Sequence, residues 1–497
     1  MRRIKGNPED VQHNHRMAKE TGLRGLRYHV SGDDVTAGRV YLVSATVKLP
    51  SILAALEHGL IERSRAVRLA LLAALAGEHT LLVGPPGTAK SELARRLHLA
   101  FADARYFERL LTRFSVPEEL FGPLSISALE EDRYERQTAG FLPQASIAFI
   151  DEVFKANSAI LNALLTLLNE REFDNGAHRE PCPLISVIGA TNEVPEDEVG
   201  EAFFDRFLIR MPVAPVSAEG FRALLGLDAQ TLPPPFSPLD ASDRQSLDEA
   251  AQHVAVPQAV TARLLELRDY LAGEELYVSD RRWVKLVRLL RVAAASEGRV
   301  EVSTWDLWLL PWCVAPDIAR QQQIADWLSA RLGVREAMSP ARLTRVVEAF
   351  EAQLEVEQEA DDLDYDESGR LRFGDEFSDG KHGEAALRMP GRRRRHYGER
   401  HIAARIRQID ELGERLAGYA GELDALLRDL DGYAAQSLWL DRAFAEYATA
   451  RLAETAQALA ALRDRTSIAR TGFLALPRLP DDPGVEPDPV VFDSLEA

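Results

Sequence analysis

Cysteine is nearly absent, with Cys182 and Cys313 the only two in 497 residues. Two thiols build neither a disulfide framework nor a cysteine-based metal site, and such a chain suits a reducing compartment. Long apolar runs are missing as well. Although 46% of the chain is hydrophobic, nothing approaches the roughly 18 to 20 consecutive apolar residues of a membrane-spanning helix. Residues 1–10 are charged, with no apolar segment behind them, so no ordinary secretory signal is expected there. Basic charge is in deficit, 59 Lys and Arg against 78 Asp and Glu, a net charge of −19. That field repels polyanions unless basic residues gather on one face, which disfavours extended nucleic-acid binding. These absences point to a folded cytoplasmic protein.

What is present is enough length for two or three cores. Residues 1–45 are polar with weak periodicity and read as an N-terminal extension. Leu53, Leu56, Leu60 and Ile61 are spaced as on a helix, and 67–75 reads as a second one. Short apolar strands then alternate with helices, at 80–83, 106–111, 147–150, 184–190 and 207–211. The series predicts a doubly wound α/β domain over 46–215. Residues 216–335 carry helical spacing alone and read as an all-helical second domain. Ser339-Pro340 reads as a helix start with Ser as the cap. With the spacings of three and four from Ile402 to Leu430, and a partner run from Leu438 to Leu462, it predicts a long three-helix element over 336–358 and 398–470. Between its parts, 359–397 has a charged linker or loop composition, ending in Arg392-Arg393-Arg394-Arg395. The Pro-rich acidic tail, 471–497, is expected to be disordered.

The strand ending at Val83 runs into Gly84-Pro85-Pro86-Gly87-Thr88-Ala89-Lys90-Ser91, and a helix with Leu93, Leu97 and Phe101 follows. Strand, Gly-rich turn and helix are the context a phosphate-binding loop requires. Backbone amides of the loop and the helix start would cradle phosphates, Lys90 would reach the β and γ oxygens, and the Ser91 hydroxyl would bind Mg²⁺. Ala89 stands where a second glycine is usual, harmless at negative φ and costing roughly 1–2 kcal/mol if left-handed. A second buried strand runs into Asp151-Glu152. Two carboxylates there are costly without a cation: Asp151 suits Mg²⁺ and Glu152 an attacking water, though acids also commonly open a helix. Asn192 follows a third strand, in the crevice where ligands of such sheets bind, and is placed to position water or the γ-phosphate unless it only makes a turn. Arg206 in F-F-D-R-F and Arg281-Arg282 in V-S-D-R-R-W offer guanidiniums that a subunit could aim at ATP, or that could simply face solvent.

Read together, these motifs resemble the MoxR branch of the AAA+ ATPases, and within it the regulatory ATPase variant A (RavA) proteins. Besides the loop, the likeness rests on E-R-S at 62–64, T-R-F-S-V-P-E-E-L-F-G-P-L-S-I at 112–126 and R-Y-E-R at Arg133. It continues with I-D-E at Ile150, L-L-N-E-R at 167–171, N-G-A-H at Asn175, D-R-F-L-I-R at Asp205 and V-S-D-R-R-W at Val278. The resemblance implies an AAA+ αβα core with a helical lid, ATP and Mg²⁺ as ligands, and a homo-hexamer that hydrolyses ATP at its subunit interfaces. It assigns Asn192 as sensor 1, Arg206 as the finger reaching a neighbour's ATP, and Arg281 as sensor 2 with Arg282 as the fallback. Hairpin insertions are implied near 122–140 and 173–181. The implied task is remodelling of a protein partner, together with a von Willebrand factor A-domain protein. The family's long helical element is present, but the β-rich module that docks a lysine decarboxylase in some relatives is replaced by the charged 355–400 stretch, which leaves that partner doubtful. Two other classes of function compete. A nucleic-acid motor or loader is favoured only by Arg392 to Arg395. A nucleotide-gated scaffold with little turnover runs against the intact set of Glu152, Asn192 and Arg206.

Overall fold

The computed structural model describes residues 44–192, 198–227, 233–331, 339–363, 392–479 and 483–492. The chain divides into two units, 1–40 and 41–497. The expected N-terminal extension falls almost wholly outside the described residues, and the architecture below is that of the second unit.

Two helices, α1 (Ser44–Glu57) and α2 (Ser64–Leu75), lead into β1 (His79–Val83) and α3 (Lys90–Leu97). Then come β2 (Tyr106–Leu110), β3 (Ile147–Asp151), α4 (Ser158–Glu170), the hairpin β4 (Glu172–Asn175) and β5 (His178–Pro181), and β6 (Ser186–Thr191). Helix α5 (Glu198–Phe204) and β7 (Phe207–Pro212) complete the domain. The five strands β2-β3-β6-β1-β7 form one parallel sheet in that order. Helices cover both faces, which is why β1, β3 and β6 are buried almost along their whole length, while the edge strand β2 buries Phe107 and exposes Glu108 and Leu110. Ile147 and Phe149 on β3 join the cluster built with α1, α2 and α3, while Ala148 and Ile150 face Leu161, Leu164 and Leu168 of α4. The sequence order reverses on either side of β1, so the loop after β1 opens into a switch-point crevice. All five strands expected from the sequence are found.

The two insertions lock together. The 122–140 stretch closes through a bridge between Leu124 and Arg136, and Asn175 of the hairpin accepts from Arg136 N at 2.7 Å. Phe121 stacks on Phe173 at 5.3 Å.

The second domain holds α6 (Ala218–Leu225), α7 (Ala241–His253), α8 (Gln258–Gly273), α9 (Asp280–Ser296) and α10 (Ile318–Arg331). Among the described residues it is helical apart from two bridges, Ala255 to Glu301 within it and Leu239 to Phe101 of the core. It seals the edge strand β7: Arg282 Nη2 donates to the carbonyls of Phe207 (2.9 Å) and Leu208 (2.8 Å), and Gln321 Nε2 donates to that of Arg210 (2.7 Å). An edge so occupied is closed to pairing with another chain.

Beyond it lie α11 (Pro340–Glu359), the short pair β8 (Asp361–Leu363) and β9 (Arg392–Arg394), α12 (Glu399–Gln436) and α13 (Arg442–Leu474). Their apolar seams, with Leu343, Val347, Leu412, Leu416, Leu423 and Leu459 buried, make the expected three-helix element. The turn between α12 and α13 rests on the other two domains: Trp439 Nε1 donates to Ser296 Oγ at 2.7 Å and Arg68 Nη1 to Leu438 O at 2.9 Å. No helix among the described residues is long and apolar enough to cross a membrane.

Three expectations need correction. Ser339 sits at the N-cap of α11 without a capping bond from its hydroxyl, so the fixed φ of Pro340 is what starts that helix. The charged 359–397 stretch is not all loop. Its ends pair antiparallel, Asp361 opposite Arg394 and Asp362 opposite Arg393, with Arg395 Nε 4.0 Å from Asp362; residues 364–391 lie outside the described residues. Nor is the tail disordered from 471. Helix α13 runs to Leu474, and the chain then turns back along the bundle, with Leu479 N donating to Tyr397 O at 3.0 Å and Arg405 Nη1 to Asp488 O at 2.8 Å. Val490 is buried, and Phe492 lies 5.9 Å from Phe350. Proline removes amide donors but leaves carbonyls and apolar rings for the bundle to use.

Candidate nucleotide site

The loop joining β1 to α3 is held from several sides. A Cβ on Gly84 would lie 2.1 Å from Val213 O, so no side chain fits, whereas Gly87, at φ 79, faces open space. Arg63, itself buried, donates from Nε to Thr88 O (3.0 Å) and from Nη2 to Ala214 O (2.7 Å), tying the loop to the end of β7. Lys90 Nζ, in the first turn of α3, donates to Gly84 O (2.6 Å) and Pro85 O (2.9 Å). Burial lowers the Lys90 pKa, and Asp151 and Glu152 oppose that shift. Ala89 has φ 65 and ψ 24, the left-handed alternative. Glu152 is left-handed too, at φ 51. Two strained non-glycine residues thus flank the same crevice, as strain tends to do at functional sites.

Strand β3 delivers Asp151 and Glu152 beside that loop. Asp151 Oδ1 accepts from Glu152 N at 3.0 Å. One oxygen of Glu152 accepts from Asn192 Nδ2 at 2.7 Å, and the other lies 3.3 Å from Lys155 Nζ. The structure therefore brings Lys90, Asp151, Glu152 and Asn192 to the carboxyl ends of β1, β3 and β6, as their motifs imply. Ser91 follows Lys90 on α3 and is half-buried. Among the described residues no group of three His, Cys, Asp or Glu could hold a metal ion. A hydroxyl and a carboxylate, Ser91 and Asp151, suit a hard cation that keeps several waters and leans on phosphate oxygens.

The arginines lie elsewhere. Parallel register sets Phe207 beside His79, at the start of β1, and Pro212 beside Val83, at its end. Arg206, one residue before β7, is therefore at the rim opposite the Gly84 to Lys90 loop, about 15 Å away along the strands. Arg281, at the start of α9, is at the same rim, donating to Asp205 Oδ2 at 3.1 Å, with Arg206 Nη1 3.5 Å from that oxygen. Arg281 is 45% exposed and Arg282 only 3%. Arg282 is fully engaged with Asp205 and with the carbonyls of Cys313, Asp205, Phe207 and Leu208, so it is a strut between lid and core and not a fallback sensor. Arg210 is buried on the Phe204 ring with its Nη atoms on Ala315 O and Phe204 O. Burial, then the Arg281 charge, press the Arg206 pKa downward.

Sequence reasoning gave no role to Arg63, Lys155 or Asp205. The E-R-S and D-R-F motifs contain two of them but say nothing of what they touch. A cavity of about 360 Å³ also opens beside the loop, lined by Glu62, Arg63, Met211, Val213, Ala214 and Asp441.

Residues 47–231 match the family described as the MoxR domain in the MoxR-vWA-beta-propeller ternary systems, and 259–328 match the AAA lid domain. An uncharacterised protein of Methanocaldococcus jannaschii is 42% identical over 265 residues, 53% of this chain and 69% of its own length. The chain belongs to the MoxR-type AAA+ ATPases. Protein MoxR of Paracoccus denitrificans is 30% identical, covering 34% of this chain and 52% of that protein. Chaperone MoxR1 of Mycobacterium tuberculosis is 24% identical over 58% of this chain and 80% of its own. In this MoxR-type ATPase the two matched stretches end at residue 328, so the three-helix element lies outside both.

Proposed function

We propose that this MoxR-type ATPase, of the RavA branch, hydrolyses ATP between the subunits of a homo-hexameric ring in the cytoplasm and uses the cycle to remodel a protein client. The observation that carries this reading is the placement of Arg206 and Arg281 across the sheet from their own Lys90. An arginine whose backbone stands about 15 Å along the strands from its own phosphate loop serves catalysis by reaching a neighbour's nucleotide, so turnover requires assembly. In this reading Gly84 to Lys90 and the start of α3 hold the phosphates, and the cavity beside Arg63 receives the nucleoside. Glu152, held by Asn192, orients and deprotonates water at the γ-phosphate. Ser91 and Asp151 hold Mg²⁺, which when bound supplies charge neutralisation at the phosphate oxygens. A von Willebrand factor A-domain protein is the proposed partner, supported by the description of the matched family. A remodelling task is supported by the chaperone name that one relative carries.

The test uses two inactive proteins. Arg206→Ala should bind ATP and turn over on the order of 10³–10⁵ times more slowly, and Lys90→Ala should fail to bind it. Mixed rings contain interfaces pairing an intact Lys90 with an intact Arg206, so mixing should restore part of the ATPase rate. A mixture as inactive as its components, with mixed assemblies seen by native mass spectrometry, rules out the trans role.

A further inference from the structure

Asp205 is the carboxylate at the centre of four arginines. Its Oδ1 lies 3.2 Å from Arg282 Nη1 and 3.9 Å from Arg210 Nη2. Both of those guanidiniums are fixed by backbone carbonyls, so one side of the carboxylate is pinned to a rigid platform. Its Oδ2 faces Arg206 and Arg281, whose Nη atoms lie 3.5 and 3.1 Å from it. Arg206 and Arg281 are 18% and 45% exposed, against 9% for Arg210 and 3% for Arg282, so the outward pair is the one that another subunit can reach. One of these arginines belongs to the core and the other to the lid. Side by side they repel each other, and an oxygen shared between them offsets that repulsion and fixes their spacing. It is also the arrangement in which two guanidiniums grip one oxygen of an anion.

We infer that Asp205 is a positioning residue that holds Arg206 and Arg281 as one unit, so that core and lid present both guanidiniums together to a phosphate on the adjoining subunit. This rests on the trans reading of those arginines. A bound phosphate oxygen takes the place of Asp205 Oδ2, and because Oδ1 stays on Arg282, the strut between lid and core, the exchange is felt by both domains. A carboxylate is required, since an amide offers one acceptor and a second donor turned toward guanidinium N–H groups.

The experiment measures steady-state ATP turnover of the full chain beside its affinity for a fluorescent ATP analogue. Asp205→Asn should slow turnover by about 10²-fold, the effect of misplacing a reacting group by about 1 Å, while the analogue, bound at the opposite rim, keeps its affinity. Asp205→Glu should recover part of the rate. In a double variant with Arg281→Ala the losses should not add, because the two residues act as one unit. Wild-type turnover by Asp205→Asn, with Arg206→Ala still slow, overturns the positioning role and leaves the trans finger standing. Wild-type turnover by Arg206→Ala overturns the trans reading itself. If both Asp205 variants lose analogue binding, or unfold by circular dichroism, Asp205 only supports the fold and the inference is wrong.

Discussion

Ala89 and Glu152 take backbone angles that glycine reaches freely and other residues reach at a cost of about 1–2 kcal/mol. Alanine is the smallest side chain that still pays this, and a β-branched residue fares much worse in the same well. Ala89→Val should therefore distort the loop around Lys90 and abolish tight nucleotide binding. Ala89→Gly should keep binding and change stability by less than about 1 kcal/mol, strain relief being offset by the extra freedom of glycine in the unfolded chain. Calorimetric titration with ATP and a thermal melt of each variant check this pair, and retained affinity in Ala89→Val would contradict it. The sequence poses the question at this position, since it shows an Ala where Gly is usual. It cannot supply the sign of φ, which depends on how Arg63, Thr88 and Lys90 are anchored.

At the scale of elements, the decisive contact is that of α9 with β7. The Arg282 guanidinium meets four carbonyls from two segments and the Asp205 carboxylate, a pattern that a point charge on a flexible stem cannot reproduce. Arg282→Ala leaves those carbonyls unpaired and should cost about 3 kcal/mol. Hydrogen exchange should quicken along β7 and the first turns of α9 before it changes in β3. Arg282→Lys should restore little of the protection. If exchange stays as in the wild type, the lid is held by its apolar packing and the strut adds nothing.

Across the whole molecule, one acid-sensitive group is a buried ring at the base of the sheet. His79 Nδ1 accepts the Val187 amide at 3.0 Å, which a protonated imidazole cannot do. Burial, then the charge of Arg171, hold its pKa well below the ordinary 6.5. The folded state thus refuses a proton that the unfolded chain accepts, so the stability present above about pH 6.5 is lost as pH falls below it, by up to about 1.4 kcal/mol per unit. Melting temperatures followed from about pH 8 to about pH 5 should fall more steeply for the wild type than for His79→Gln, which keeps an acceptor and does not titrate. Equal slopes would place the acid sensitivity elsewhere.

The strands, the phosphate loop and the paired acids were legible in the sequence because each is a local pattern: an apolar run, a turn of fixed composition, carboxylates at a strand end. The three-helix element was legible for the same reason, its seam being a repeat of three and four. The choice between Arg281 and Arg282 was not, since both stand at the same helix start. Only docking against β7 buries one on backbone carbonyls and leaves the other exposed on Asp205. The tail was misjudged because composition counts the amide donors that proline lacks and cannot see the groove beside α12 that accepts its carbonyls. What sequence alone determined here is what neighbouring residues decide among themselves. Tertiary structure decided which charged groups face water and which face carbonyls, because burial and partner geometry are set by segments far apart in the chain.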